Sequence, residues 1–144
     1  MVTIELINKQ NPFYQGEIEL RNKILLRPIG LPDHAWEMND KKSWHFIALE
    51  NNNVIGCVVL FPLDEQQSCA QLMQMAVEDD YQGKGIGKLL VLELLLFCRS
   101  QGIKEVVCHS RDTAVPFYLK LGFEIYDNPF IEVGIQHYHM KIVL

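Results

Sequence analysis

Apolar and polar residues alternate from Val2 to Ile7 (VTIELI), the period-two pattern of a strand. After Pro12 the interval changes: Phe13, Ile18, Leu20, Ile24 and Leu25 supply the apolar contacts of a helix, which Pro28 and Gly30 end. Asp33 is placed to cap a short helical piece reaching Met38. The runs "WHFIALE" and "NVIGCVVLFPL" flank Asn51-Asn52-Asn53 and predict a hairpin, and "CAQLMQMAV", Cys69 to Val77, continues it as a third strand. Gly85 to Gln101 predicts a helix with Gly102 as its C-terminal cap. Leu89, Leu90, Leu92, Leu94, Leu95, Leu96 and Phe97 are apolar around more than one face of it, so all seven are expected in the core. "KEVVCHS" then reads as a buried strand. "DTAVPFYLKLGF" reads as a helix with Asp112 or Thr113 at its start, Pro116 in the first turn and Gly122 at its close. "FEIYD" and "HYHMKIVL" are the last two strands. The order β, α, α, β-β-β, α, β, α, β-β predicts a layered α/β or α+β fold on a mostly antiparallel sheet. No linker, repeat or low-complexity tract interrupts residues 1–144, which implies one domain.

Composition narrows the function classes. With 49% hydrophobic residues and a net charge of −5 the chain has the profile of an ordered, soluble protein. The acidic balance argues against nucleic acid as a partner, and Lys41-Lys42 is the only pair of adjacent basic residues. The run "LLVLELLLFC" carries Glu93 and is too short to span a bilayer, and "MVTIELINKQNPF" does not resemble a signal peptide. Cys57, Cys69, Cys98 and Cys108 lie apart in apolar segments, as free thiols of a cytoplasmic protein do, and no His/Cys cluster has the spacing of a metal site.

One segment carries chemistry. In "EDDYQGKGIGKLL" a strand ends near Val77, a polar turn follows, and the long helix begins at about Gly85. Exposed N–H groups at a helix start, uncovered by side-chain bulk, can hold phosphate oxygens, and Lys84 and Lys88 add positive charge there. A pyrophosphate is a reasonable guest. The spacing fits neither a P-loop, since Gly87-Lys88 is followed by Leu89, nor a dinucleotide fingerprint, since the run is GxGxG rather than GxGxxG.

A second segment, "AVPFYLKLGF" from Ala114 to Phe123, stands about 30 residues further on. Together Gln82-Gly83-Lys84-Gly85-Ile86-Gly87 and this segment resemble the paired signatures of the GNAT superfamily of N-acetyltransferases. "ELRNKILLRPIG", "WHFIALENNNVIGCVVL" and "FIEVGIQHYHM" resemble a small bacterial single-domain subgroup of it. The resemblance implies a mixed, mostly antiparallel central sheet that splays at an acyl-CoA site and is flanked by helices. It implies acetyl-CoA as acyl donor. Gln82, Gly83, Lys84, Gly85, Ile86, Gly87 and Lys88 would lie at the pyrophosphate, and Met75, Ala76 and Val77 would pair through their backbone with the pantetheine arm.

The implied reaction is acetyl transfer to a primary amine by direct attack within a ternary complex. A lysine-like amine has a pKa of about 10.4, so baring it at neutral pH costs about 4–5 kcal/mol unless burial or a base helps. The resemblance puts Tyr118 near the CoA sulfur, where a phenol can protonate the leaving thiolate. It puts Glu132 and His137 in a polar wall beside the acceptor amine, as candidate bases. Gln71 and Gln74 stand on the strand where some members carry a glutamate base. Arg21 and Arg27, on the early helix that walls the acceptor side, are candidates for a substrate carboxylate. Phe117 and Tyr118, as helix neighbours, cannot both fill one narrow face. The alternatives are a non-catalytic acyl-CoA sensor or interaction module, and an acyltransferase using another acyl group. The sequence is compatible with a monomer or a homodimer, and the acceptor is a small-molecule or protein amine.

Overall fold

Asn51 and Asn52 both take left-handed backbone (φ 50° and 63°), the pair of positive φ values that a two-residue hairpin turn requires and that asparagine tolerates. They join β2 (Trp44–Glu50) to β3 (Asn53–Pro62), with Glu50 opposite Asn53. The computed structural model describes residues 1–144. Its other strands and α-helices are β1 (Thr3–Ile7), α1 (Tyr14–Arg21), which a π-helical segment (Asn22–Leu26) and a 3-10 turn (Arg27–Ile29) continue, β4 (Cys69–Val77), α2 (Ile86–Gln101), β5 (Glu105–Arg111), α3 (Val115–Lys120), β6 (Glu124–Glu132) and β7 (Ile135–Val143). The strands form one seven-stranded sheet in the order β1-β2-β3-β4-β5-β7-β6. Every neighbouring pair is antiparallel except β4 and β5.

Strand alternation sorts the core into two layers. On β2, Phe46 and Ala48 join the larger cluster under α2 and α3, whereas Ile47 and Leu49 face the smaller cluster under α1. Both faces of the central strands are thus covered, which explains their near-continuous apolar runs. The seven residues of α2 expected in the core do not all lie inside. Leu90, Leu94 and Leu95 are buried, but Leu89, Leu92 and Leu96 are 40–58% exposed, because the helix meets the sheet along a single stripe.

The segment from Asp33 to Met38 is a series of turns rather than the expected helical piece. His34 has φ 69°, its N–H is held by Asn22 Oδ1 at 2.9 Å, and the Trp36 carbonyl is drawn onto Arg21. Tertiary bonds take the backbone groups a helix would need. β6 is longer than "FEIYD": the pairing with β7 shifts between Tyr126 and Phe130, and Asp127 at φ 57° lets the strand resume beyond Pro129. No helix is long and apolar enough to cross a membrane.

Candidate active site

The parallel seam between β4 and β5 is short. Cys69–Leu72 pairs with Glu105–Cys108, after which the strands part. A bulge drives the separation: Cys57 opposes Ala76 while Val59 opposes Met73, so β4 holds one residue more than β3 across this stretch, and Gln74 turns to φ 52°. The far half of β4, Met73 to Val77, therefore has no partner on the β5 side.

One cavity of about 560 Å³ opens at the end of β4. It is lined by Met75, Ala76, Val77, Gln82, Gly83, Gly85, Ile86, Gly87 and Lys88, nine of the ten residues expected at the donor. Lys84 does not line it; its ammonium lies 5.6 Å from the centre of the Tyr81 ring. Ile24, Tyr81, Phe117, Lys120 and Leu121 complete the wall. Gly83 and Gly85 have φ of 76° and 82°, and nothing lies within 4 Å of where a Cβ would stand on either, so these positions require glycine for conformation rather than for space. The first hydrogen bond of α2 runs from the Leu89 N–H to the Gly85 carbonyl. The N–H groups of Ile86, Gly87 and Lys88 lack helix partners and carry the positive end of a 16-residue helix. The Gln82 side-chain amide donates to the Val77 carbonyl (3.0 Å) and to Asp79 Oδ1 (3.3 Å), so it braces the turn.

A second cavity, about 510 Å³, lies on the β5–β7 side of the opening. Tyr118, Glu132 and His137, the three expected catalytic residues, all line it, with Gln71, Gln74, Met75, His109 and Arg111. Met75 lines both cavities, so they adjoin at this residue. Phe117 faces the first cavity and Tyr118 the second, as their adjacency on a helix demands.

Burial, with a smaller contribution from Cys108, pushes the Tyr118 phenol far above its ordinary pKa. Its hydrogen stays in place across the working pH range. His137 is buried, and its Nδ1 lies 2.8 Å from the Ile135 carbonyl. A carbonyl only accepts, so Nδ1 carries the hydrogen and Nε2 of the neutral ring keeps its lone pair. That Nε2 stands 3.7 Å from Glu132, whose other oxygen is 3.2 Å from His109 Nδ1.

Arg21 and Arg27 line neither cavity. Arg21 is buried: Nη1 donates to Glu17 and Asp40, each at 2.8 Å, and Nη2 to the Trp36 carbonyl at 2.7 Å. Arg27 is paired on the surface with Glu19 and Asp33. Glu17, Asp40 and His45 come within 4.8 Å of one another, as metal ligands do, but Arg21 already supplies positive charge between the two carboxylates. Sequence reasoning missed Arg111, Trp36, Met38 and Val133 in the second cavity. Only the last left a trace: Val133-Gly134 is a two-residue hairpin loop, with φ of 48° and 74°.

A family model described as "Acetyltransferase (GNAT) domain" matches residues 31–144. Among curated proteins the chain is 40% identical over 75 residues to "Uncharacterized N-acetyltransferase CgeE" of Bacillus subtilis (strain 168), a match covering 51% of this chain and 29% of that protein. It is 34% identical over 93 residues to N-acetyltransferase 8B of Rattus norvegicus, covering 60% and 42%. The chain thus spans less than half the length of these relatives. Its fold superimposes on a crystal structure of a GNAT family acetyltransferase from Elizabethkingia anophelis with acetyl-CoA bound, at a TM-score of 0.78, 22% identity and coverage of 99% and 98%.

Proposed function

The chain belongs to the GNAT acetyltransferase family, whose acyl donor is acetyl-CoA, and on that premise we propose that residues 1–144 act as one N-acetyltransferase domain that moves the acetyl group of acetyl-CoA directly onto a primary amine. The observation that carries this reading is the meeting of the two cavities at Met75, where β4 has parted from β5. One cavity has an anion-binding floor and the other a phenol and an imidazole. A thioester lying between them is open to an amine from the second side.

On the donor side the N–H groups of Ile86, Gly87 and Lys88 hold the pyrophosphate, with Lys88 adding charge. Gly83 and Gly85 keep the approach clear, and Gln82 holds the turn. The unpaired edge of β4 from Met75 to Val77 offers backbone groups to the amides of the pantetheine arm, much as a missing strand would. On the acceptor side His137 Nε2 takes a proton from the incoming ammonium, and Glu132, 3.7 Å away, stabilises the imidazolium that forms. Tyr118, still protonated, meets the departing thiolate with its hydroxyl.

Direct transfer is favoured over an acetylated enzyme by the cysteines. None of the four lines either cavity. Burial pushes the Cys98 thiol up to about 11 and that of Cys108 up to about 12, so neither is an available nucleophile. Four unpaired thiols also suit a reducing compartment such as the cytoplasm. The test is titration calorimetry with acetyl-CoA, followed by thiol release against a panel of amines. Saturable acetyl-CoA binding and intersecting double-reciprocal plots are expected. Parallel plots, with an acetylated protein isolated in the absence of amine, would overturn direct transfer.

A further inference from the structure

Arg111 is the last residue of β5 and lines the second cavity. The arginine ion pairs of this protein belong to Arg21 and Arg27, which leaves the exposed guanidinium of Arg111 without a carboxylate. Its register partner across the β5–β7 pair is His137. Directly opposed residues share a face, with Cβ atoms about 4.5–5.5 Å apart. Arg111 and His137 therefore leave the sheet side by side on one face, and both line the second cavity. A ligand with its amine and its carboxylate on one carbon matches that adjacency, and a guanidinium fork suits a carboxylate.

The rest of the cavity narrows the class. Glu132 is its only carboxylate, and His109 and His137 both approach it. A polyamine or an aminoglycoside, with several ammonium groups, would find a single acid there. The polar groups are accompanied by Trp36 and Met38, from the segment before β2, and by Val133 from the β6–β7 turn. Met38 is 75% exposed and Val133 45%. Val133 holds φ 48°, where a β-branched residue is strained and where asparagine or glycine would sit easily. What valine adds at that point is apolar surface on the cavity.

We propose that the acceptor is an apolar α-amino acid, with its carboxylate on Arg111, its amine beside His137 and Glu132, and its side chain against Trp36, Met38 and Val133. This rests on the acetyl-transfer reading above. In the step itself the ammonium gives one proton to His137, the amine nitrogen bonds to the acetyl carbon and the carbon–sulfur bond breaks; Tyr118 protonates the departing thiolate and regains its proton from the newly acylated nitrogen, and the proton on His137 passes to solvent.

The experiment measures thiol release from acetyl-CoA with leucine and phenylalanine, with their carboxamides, and with spermidine and kanamycin. Acetyl-CoA binding is followed by calorimetry on the same samples. The free acids are expected to exceed their amides in kcat/KM by about 10–100-fold, the scale of one charged hydrogen-bonded pair. Arg111→Met should bring that ratio close to one, and Arg111→Lys should keep part of it. Val133→Asn should raise the KM for leucine while the thermal midpoint holds or rises. If acetyl-CoA fails to bind, the donor reading falls and the acceptor falls with it. If acetyl-CoA binds but no amine is acetylated, the transfer reading falls and the acceptor falls with it. If amides, spermidine or kanamycin match the acids, or if Arg111→Met leaves the ratio intact, the amino-acid acceptor alone is overturned.

Discussion

In the proposed reaction Tyr118 and His137 would share the proton work, the phenol at the leaving sulfur and the imidazole at the amine. Burial holds the hydrogen on the phenol, and the Ile135 carbonyl holds the imidazole in the tautomer with a bare Nε2. Tyr118→Phe removes the hydroxyl and little else, so acetyl-CoA affinity by calorimetry should stand while single-turnover transfer falls about 10²–10³-fold. An undiminished transfer rate would remove Tyr118 from the mechanism. His137→Gln is expected to lower kcat/KM by about 10²–10⁴-fold at neutral pH, with part of the loss regained as the amine deprotonates at higher pH. At this scale the sequence was legible wherever residues came in a patterned string. The glycine run and Tyr118 stood in such strings. Arg111 is a single arginine at a strand end, and nothing near it in sequence reveals that His137 lies alongside. Arg21 read as a candidate for a substrate carboxylate because its own acids, Glu17 and Asp40, are not marked as buried by any local pattern.

Among the elements, α1 is bound to its surroundings by that buried set. Tyr14 donates to Asp40 at 2.5 Å, Arg21 bridges Asp40 and Glu17, and His45 from β2 bonds Glu17 through Nδ1. Breaking such a pair on one side strands a buried charge, so Arg21→Met should cost about 3–5 kcal/mol in chemical denaturation. For His45, burial pulls the pKa down, but the hydrogen bond and charge of Glu17, with the Asp40 carbonyl, outweigh it and raise it. A raised histidine stabilises most below its unfolded pKa of about 6.5, and that contribution disappears as pH rises through the higher folded value. The thermal midpoint should therefore fall as pH rises above about 6.5, and this fall should be smaller in His45→Gln. The start of α2 makes a different demand. Gly85→Val meets no steric obstacle but forces a β-branched residue to φ 82°, at a cost of about 1–2 kcal/mol or a shift of the turn. Acetyl-CoA should then bind about tenfold more weakly. The facing ends of β2 and β3 and both ends of α2 were legible because the Asn51-Asn52 turn and the glycine caps mark them. The end of β6 was not, since Asp127 and Pro129 read as a stop and only pairing with β7 carries the strand across them.

Across the whole molecule, the sheet's one parallel contact sets the plan. Periodicity identified the strands but not which of them are neighbours, because alternation records burial and not the identity of the partner. The splay entered through the resemblance carried by two short motifs; the bulge at Gln74 that produces it had no signature in "CAQLMQMAV". That four-residue seam between β4 and β5 also separates the chain into two runs of sequence. The first, through Gly102, holds β1 to β4 with α1 and α2, and the second, from Ile103, holds β5 to β7 with α3. All antiparallel ladders close inside one run or the other. Each run is thus a candidate cooperative folding unit, and native-state hydrogen exchange should resolve two opening free energies, the seam amides following the weaker. Because the first cavity takes Met75 and Gly85 from one unit and Phe117 and Leu121 from the other, acetyl-CoA held there, as proposed, would act as a clasp. With it bound the two exchange classes should merge into one, so a ligand chosen for its chemistry would also decide whether the protein opens in halves or as a whole.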